Sequence, residues 1–258
     1  MKITVLAENT ASNDSFRCEH GLSLYVETDA CRILFDMGQT DLFAENAEKL
    51  GIDLTSVDFA VLSHGHYDHG GGLARFLELN SSAPVYVSRY AFEPHYNGSE
   101  KYIGLDPALS GHPRLIFTDG IAEPAPGWTL FSCNDRTKTH DLGSFGLNMK
   151  QDGVLLPDDF RHEQYLLTEE NGRRILFSGC SHKGVMDIAD WFNPDVLIGG
   201  FHFSKLPLDD TLTEYAQILS RHDTDYYTCH CTGTEVFAYM KHYIKRLSYL
   251  STGQTLEL

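Results

Sequence analysis

Residues 63–72 read SHGHYDHGGG, which places three histidines and one aspartate within six consecutive positions. The apolar run at 57–62 predicts a buried strand before this stretch, and the glycines at its end predict a tight turn into a helix. One loop therefore presents His64, His66, Asp68 and His69. Imidazole nitrogen and carboxylate oxygen bind zinc and also suit iron or manganese, so we predict one or two divalent ions, with zinc as the first choice.

The spacing within this loop indicates how two ions could be held. His64 and His66 alternate with Gly65, so in an extended loop they point to one side and can grip one ion. Asp68 and His69 follow a turn later and suit a second ion close by. A surface loop that is merely rich in histidine is the alternative, but such a loop has no need of glycines that let the backbone bend around a small object.

The order His-x-His-x-Asp-His resembles the signature of the metallo-β-lactamase superfamily. The resemblance implies an α+β fold, the four-layer αββα sandwich, with one or two metals at the edge between its β-sheets. It also matches Asp36-Met37-Gly38 to an Asp-x-Gly at a strand end, whose carboxylate steadies the metal loop rather than binding metal. A solvated turn aspartate is the alternative interpretation of Asp36.

Three later strands each end in a glycine-rich turn that carries a histidine. These ends are Cys180-Ser181-His182, Phe201-His202 and Cys229-His230-Cys231. Strand ends on one edge of a sheet converge in space, so these histidines can reach the first loop although they lie far from it in sequence. A hydrogen-bonded turn histidine is the alternative for any one of them.

The same segments, with His20-Gly21-Leu22-Ser23-Leu24, resemble the branch of the superfamily named after 7,8-dihydropterin-6-methyl-4-(β-D-ribofuranosyl)aminobenzene-5'-phosphate synthase of methanopterin biosynthesis. The resemblance runs over most of the chain and is weak from about 89 to 160. It implies that one metal is bound by His64, His66 and His182. A second metal would be bound by Asp68, His69 and His230, and His202 would face the substrate.

Two positions leave the ligand set open. The superfamily's usual Gly-Asp, whose carboxylate bridges the metals, is replaced by Gly179-Cys180, and this thiol can ligate, bridge or simply pack. His162 is a rival for His182, because the wider family draws a ligand from a loop before this strand; the glycine-rich setting favours His182. The cysteines at 229 and 231 are expected to point away from the histidine between them and to pack in the core.

The 258 residues, 42% of them hydrophobic, suffice for one large domain over 1–258, with a variable insertion over the site at about 89–160. The formal net charge of -16 argues against nucleic acid or an anionic membrane as the main partner. The six cysteines are scattered, and no run has the length of a signal-peptide core or a membrane span, so we expect a cytoplasmic protein. Its expected partner is a small-molecule substrate, whose binding residues the sequence does not identify.

Three functions are consistent with this pattern. The first is a hydrolase that uses a metal-bound hydroxide on a small molecule, by preference a phosphoester. In it, Asp68 orients the water, and His202 stabilises the oxyanion or protonates the leaving group. The second, implied by the branch name, is a synthase that joins a dihydropterin to an aminobenzene ribose phosphate. The third is a non-catalytic metal or redox protein.

Overall fold

The computed structural model describes residues 1–258, which form eighteen strands and six α-helices. The strands are Lys2–Ala7 (β1), Ser23–Glu27 (β2), Arg32–Phe35 (β3), Phe59–Val61 (β4), Val85–Ser88 (β5), His95–Asn97 (β6), Lys101–Tyr102 (β7), Leu115–Thr118 (β8), Ile121–Ala125 (β9), Trp128–Phe131 (β10), Leu147–Gln151 (β11), Val154–Pro157 (β12), Tyr165–Glu170 (β13), Arg173–Phe177 (β14), Val196–Ile198 (β15), Asp225–Thr228 (β16), Leu247–Tyr249 (β17) and Thr255–Glu257 (β18). The helices are Leu42–Lys49 (α1), Tyr67–Gly70 (α2), Leu73–Leu79 (α3), Val185–Phe192 (α4), Asp210–Leu219 (α5) and Thr234–Met240 (α6).

Most of the strands belong to two seven-stranded sheets. The first has the order β18-β1-β2-β3-β4-β5-β8, and the second has the order β17-β16-β15-β14-β13-β10-β9. Each sheet is half antiparallel and half parallel, with the parallel half running from β3 to β8 in the first and from β14 to β17 in the second. The parallel halves matter for function because their strand ends lie side by side at one edge.

The two sheets pack face to face around a core of apolar side chains that includes Phe35 and Phe177. Helices α1 and α3 cover the outer face of the first sheet, where Phe43 and Phe76 belong to a second core. Helices α4, α5 and α6 cover the outer face of the second sheet over a third core. The layers are therefore α, β, β and α, which confirms the predicted sandwich. None of the helices combines the length and the apolar content that crossing a membrane would require.

The central strands are apolar on both faces because each lies between a helical layer and the other sheet. In β3, Ile33 and Phe35 face the other sheet, whereas Leu34 faces the helices. In β14, Phe177 faces the other sheet and Leu176 faces the helices. Burial on both sides explains why these strands are continuous apolar runs rather than alternating ones.

The segment at 89–160 is not one continuous insertion. Strand β8 completes the first sheet, and β9 and β10 complete the second. Only the strands around 95–102 and 147–157 form separate structure, a small antiparallel sheet of order β12-β11-β6-β7. The observed boundaries differ from the expected ones because edge strands such as β9, with exposed Ile121 and with Pro124, carry little apolar alternation.

The small sheet is attached to the histidine-rich loop. The backbone N–H of Tyr67 donates to the carbonyl oxygen of Ile103 at 2.9 Å, and His66 forms an isolated β-bridge with Gly104. Residues of this sheet therefore lie directly over the loop that carries the predicted ligands.

Candidate metal centre

The loop after β4 is shaped by close backbone contacts. Gly65 lies so near Ala91 that a Cβ at this position would be 2.2 Å from the Ala91 carbonyl oxygen. His66 precedes helix α2, and Asp68 and His69 lie within its single turn. A larger residue at position 65 would push the loop away from the sandwich, so the glycine there is a steric requirement.

The parallel strands of the second sheet deliver the other histidines. Strands β14, β15 and β16 are neighbours, and the turns after them carry His182, His202 and His230. Gly199 follows β15 with a φ of 148°, and a Cβ there would lie 1.7 Å from the Ser178 carbonyl oxygen. The turns after β14 and β15 thus pack backbone to backbone.

Hydrogen bonds fix the tautomers of two histidines in the first loop. Ser63 Oγ donates to Asp36 Oδ2 at 2.7 Å, so in its 2.7 Å contact with His64 Nδ1 the imidazole is the donor. His69 Nδ1 lies 2.7 Å from Asp36 Oδ2, and because a carboxylate only accepts, this nitrogen also carries its proton. The Nε2 atom of each ring is left with a free lone pair.

The same reasoning applies to one of the histidines from the second sheet. His230 Nδ1 lies 2.7 Å from Asn9 Oδ1, an oxygen that also accepts the Gly21 N–H, so the imidazole is again the donor. His182 Nδ1 lies 3.3 Å from Glu163 Oε1. In His230, Nε2 is therefore the atom that can bind a metal, whereas His182 has no hydrogen bond that decides which of its nitrogens carries the proton.

One group of nitrogens suits a first ion. His64, His66 and His182 each bring one ring nitrogen within 4.8 Å of the others. Burial and the neighbouring histidines lower the pKa of His64 and of His66 well below its usual value, so both rings are neutral near pH 7. Neutral imidazole is the form that coordinates a metal.

A second group lies beside the first. Cys180 Sγ is 3.1 Å from His69 Nε2, and Cys180, His230 and Cys231 each bring one atom within 4.8 Å of the others. Asp68 Oδ2 lies 3.3 Å from His230 Nε2. Since that nitrogen has no proton when the ring is neutral, two acceptors face each other unless a cation lies between them.

Unpaired buried atoms show that the residues present fit metal ions. Eight buried side-chain nitrogen or oxygen atoms have no hydrogen-bond partner, and seven of them are histidine nitrogens. Buried polar groups in folded proteins are normally paired, so such a cluster needs an explanation. Imidazoles with a thiol and one carboxylate fit zinc, and imidazoles with the carboxylate alone also fit iron or manganese. The seven nitrogens belong to His64, His66, His95, His162, His182, His202 and His230.

Hydrogen bonding favours His182 over His162 as a ligand. The Gly65 backbone N–H donates to His162 Nδ1 at 2.9 Å, so this nitrogen is an acceptor and the proton of the neutral ring must sit on Nε2. His162 Nε2 faces Asp158 Oδ2 at 3.4 Å. With one nitrogen engaged and the other protonated, His162 has no lone pair left for a metal.

This difference predicts the metal content of two variants. His182→Ala should lose the first ion, whereas His162→Ala should keep it, when both are purified and measured by elemental analysis. The double variant His64→Ala/His69→Ala provides the zero reference. Equal loss in the two single variants, or loss only in His162→Ala, would reverse the assignment.

Asp36, which follows strand β3, forms hydrogen bonds to the histidine-rich loop after β4. Its carboxylate is fully buried and accepts the Ser63 N–H at 2.7 Å, the Ser63 O–H at 2.7 Å and the His69 Nδ1–H at 2.7 Å. Burial alone would lower the pKa of His69, but the Asp36 carboxylate raises it above its usual value. Every hydrogen bond that the Asp36 carboxylate accepts therefore comes from the metal loop.

Two residues at the site were not identified as site residues from the sequence. His20 lies 3.2 Å from Asp68 Oδ2 through Nε2, and its Nδ1 lies 3.3 Å from the Asn9 amide nitrogen, so Nε2 is the donor to the carboxylate. The expectation that Cys231 packs in the core with Cys229 is wrong for Cys231, which lines the cavity at the site. A glycine directly after a histidine, as in His20-Gly21, is the one sequence signal that could have pointed to the first of them.

Comparison with known proteins shows the family to which the chain belongs. The family model described as the metallo-beta-lactamase superfamily matches residues 17–218. The chain belongs to the metallo-β-lactamase superfamily. The solved structure of Tm1679, described as a metal-dependent hydrolase of the β-lactamase superfamily, is 31% identical in sequence, with a TM-score of 0.84 and coverage of 100% of this chain and 99% of that chain.

Two curated relatives come from Methanocaldococcus jannaschii. The uncharacterized protein MJ0448 is 28% identical, over 90% of this chain and 90% of its own length. A 7,8-dihydropterin-6-methyl-4-(β-D-ribofuranosyl)-aminobenzene-5'-phosphate synthase is also 28% identical, over 90% of this chain and 88% of its own length. The predicted resemblance to this branch of the superfamily is confirmed.

In this superfamily member the two candidate metal positions open into a cavity of about 280 Å³. Cys180 lies at the junction of the positions, since it groups with His69 on one side and with His182 and His202 on the other. The far walls come largely from the small sheet and from the turn after β15. Their side chains include Asn97, Lys101, Phe145, Lys205 and Leu206, and Tyr67 of helix α2 also lines the cavity.

Proposed function

We propose that this protein is a metal-dependent hydrolase of a small-molecule phosphoester, with zinc as the first choice of ion. The observation that carries the proposal is that His66, His182, His202 and His230 line one cavity beside the carboxylate of Asp68. The rings of His64 and His69 lie 4.7 and 4.9 Å from those of His66 and His230, measured between ring centroids. A divalent ion held there would lower the pKa of water to about 7 and polarise the bond under attack.

Asp68 is the residue that orients the attacking water. Burial alone would raise the pKa of Asp68, but the hydrogen bond from His20 holds it well below its usual value, so the carboxylate is ionised at neutral pH. The proton of His20 Nε2 occupies one lone pair of Oδ2 and leaves others free for water. An ionised carboxylate whose position is fixed by a hydrogen bond can accept a proton from water in the cavity.

His202 is the residue that acts on the leaving group of the reaction. It sits in a left-handed backbone conformation with a φ of 56°, and its N–H donates to Cys231 Sγ at 3.2 Å. Its ring lies 4.3 Å from that of His182 and 4.6 Å from that of Phe145, measured between ring centroids. His202 also lines the cavity, where its imidazole can stabilise an oxyanion or donate a proton.

The charge of the cavity wall supports an anionic substrate. The chain carries a formal net charge of -16, yet Lys101 and Lys205 both line this cavity. Lys101 Nζ lies 5.4 Å from the centre of the Tyr67 ring, which holds the ammonium at the wall. These two cations would attract the negative charge of a phosphoester to the cavity, whereas the acidic remainder of the surface would repel it.

The test is a panel of chromogenic phosphoesters, thioesters, lactones and β-lactams, assayed with the zinc-loaded protein and after chelation. We expect chelation-sensitive turnover of phosphoesters, slow because generic substrates lack the binding energy of the natural one. Turnover confined to thioesters or lactones would assign a different substrate class. A non-catalytic metal or redox role would be left if no compound reacted and no ligand bound.

A synthase is the second candidate, because a relative that spans 90% of this chain bears that name. Such a reaction joins a dihydropterin to an aminobenzene ribose phosphate, and the cavity wall offers the aromatic rings of Tyr67 and Phe145 to a flat substrate. Tight binding of a reduced pterin, without turnover of any phosphoester, would favour it. For either activity, we propose the cytoplasm as the compartment, and the six cysteines, none of which forms a disulfide, support this proposal.

A further inference from the structure

A buried histidine–carboxylate pair lies behind the first metal position. His95 Nδ1 is 2.8 Å from Asp158 Oδ2, and the two residues are 0% and 4% exposed. His95 begins strand β6, and Asp158 follows strand β12, so both belong to the small sheet and not to the sandwich. Neither residue lines the cavity.

The second nitrogen of each ligand histidine distinguishes His66 from the rest. The rings of His64, His69 and His230 each have a hydrogen-bonded oxygen of another residue 2.7 Å from Nδ1. His182 Nδ1 has Glu163 Oε1 at 3.3 Å, without a hydrogen bond. His66 has no hydrogen bond at either nitrogen, and its Nε2 is fully shielded. A metal ligand without a partner on its other nitrogen is free to take the wrong tautomer.

The proton positions in this cluster leave His95 Nε2 as the hydrogen-bond acceptor for His66. A carboxylate only accepts, so His95 Nδ1 carries the proton and His95 Nε2, buried and unpaired, keeps a lone pair. Asp158 Oδ1 is engaged by the Phe160 N–H at 2.8 Å. His162 Nε2, which is protonated, faces the other Asp158 oxygen. His95 Nε2 is therefore the only imidazole acceptor in the cluster that remains unengaged.

The cluster does not form an additional metal site. His66, His95, Asp158 and His162 do bring one atom each within 4.8 Å of the others. However, Gly65 uses the lone pair of His162, and both oxygens of Asp158 already accept hydrogen bonds. An ion there would meet too few free donors for the usual four-coordinate site.

We propose that Asp158 and His95 are positioning residues that orient His66. The His66 and His95 rings lie 5.5 Å apart between centroids, and neither Nε2 has another hydrogen-bond partner. In the metal-bound protein His66 Nε2–H would donate to His95 Nε2, whose Nδ1–H donates to Asp158, and His66 Nδ1 would be the nitrogen left for the first ion. This inference rests on the proposed metal site. It gives the small sheet a second role, because the sheet that walls the cavity also sets the tautomer of a metal ligand.

The test compares the cobalt(II) affinity of the metal-free wild-type protein with that of four variants. The affinity is measured by titrating each protein with cobalt(II) and recording the visible absorption spectrum. His95→Phe removes the acceptor at similar volume, and Asp158→Asn removes the charge that fixes the His95 tautomer. Both should weaken binding of the first ion by about 10- to 100-fold. His95→Gln can still accept from His66 and donate to Asp158, so it should recover most of the affinity. Asp187→Asn, at a buried carboxylate that accepts the Thr139 and His140 N–H groups, is the matched control and should bind like wild type.

The outcomes separate this inference from the proposed function. If the wild-type protein bound no cobalt, the metal site itself would be wrong. If it bound cobalt and His95→Phe and Asp158→Asn bound equally well, the site would stand and the positioning role would be wrong. Equal weakening in His95→Phe and His95→Gln would also overturn the role, because it would indicate loss of packing alone. Thermal unfolding of the metal-free variants checks that each one is folded.

Discussion

Asp68→Ala is expected to lower kcat/KM for the best phosphoester by about 10³-fold, the middle of the range for loss of a general base. Asp68 is the only carboxylate among the candidate ligands, and it accepts the His20 Nε2–H at 3.2 Å. Its removal takes away both the group that orients water and one ligand of the second ion. His64, His66 and His182 are untouched, so the first ion should stay bound.

The measurement pairs steady-state kinetics with elemental analysis of the same samples. Asp119→Ala is the control, because Asp119 is an exposed carboxylate whose ion pair with Arg89 at 2.8 Å lies outside the cavity lining. That variant should keep wild-type kinetics. If Asp68→Ala lost the second ion and still turned over substrate at the wild-type rate, neither that ion nor the carboxylate would take part in the reaction.

The residues that could be predicted from sequence are those whose neighbours in space are also neighbours in the chain. The loop with His64, His66 and His69 is one continuous stretch, so its chemistry is visible in the order of residues. His182 and His230 were accessible by a second rule, since the ends of parallel strands meet at one edge. The sandwich followed from the family resemblance and agrees with apolar runs such as the one in β14.

The contacts that fix proton positions could not be predicted, because they join distant parts of the chain. Asn9 orients His230 across 221 positions, and His95 meets Asp158 across 63 positions. No local pattern marks such pairs. They decide the chemistry nonetheless, since they determine which nitrogen of each ring is free.

The position of Cys231 was predicted wrongly because the prediction assumed extended backbone at 229–231. Alternation of side chains holds only for extended backbone, but His230 has a φ of 45° and begins a short 3₁₀ turn at His230–Thr232. The turn brings Cys231 to the same side as the histidine before it. Cys229 still lies on the extended strand side and packs between the sheets.

Asp36→Ala is expected to lower the free energy of unfolding of the metal-free protein by about 4 kcal/mol, because three buried donors lose their acceptor together. The Ser63 N–H, the Ser63 O–H and the His69 Nδ1–H all end on this carboxylate, which is fully buried. Asp36 also has a φ of 60°, a conformation that aspartate tolerates better than alanine. A loss of this size is a large share of the roughly 5 to 15 kcal/mol that stabilises a typical domain.

Urea unfolding of the metal-free protein measures this loss without the contribution of a bound ion. Asp53→Ala is the matched control: its carboxylate accepts the Thr55 N–H at 2.9 Å and the Thr55 O–H at 2.7 Å in an exposed cap, so its removal should cost about 1 kcal/mol. Asp36→Asn keeps an acceptor for the Ser63 N–H but turns a donor toward His69, so its stability should fall between the two. Equal unfolding midpoints for Asp36→Ala and Asp53→Ala would show that the buried carboxylate does not hold the metal loop, and the tautomers assigned to His64 and His69 would lose their support.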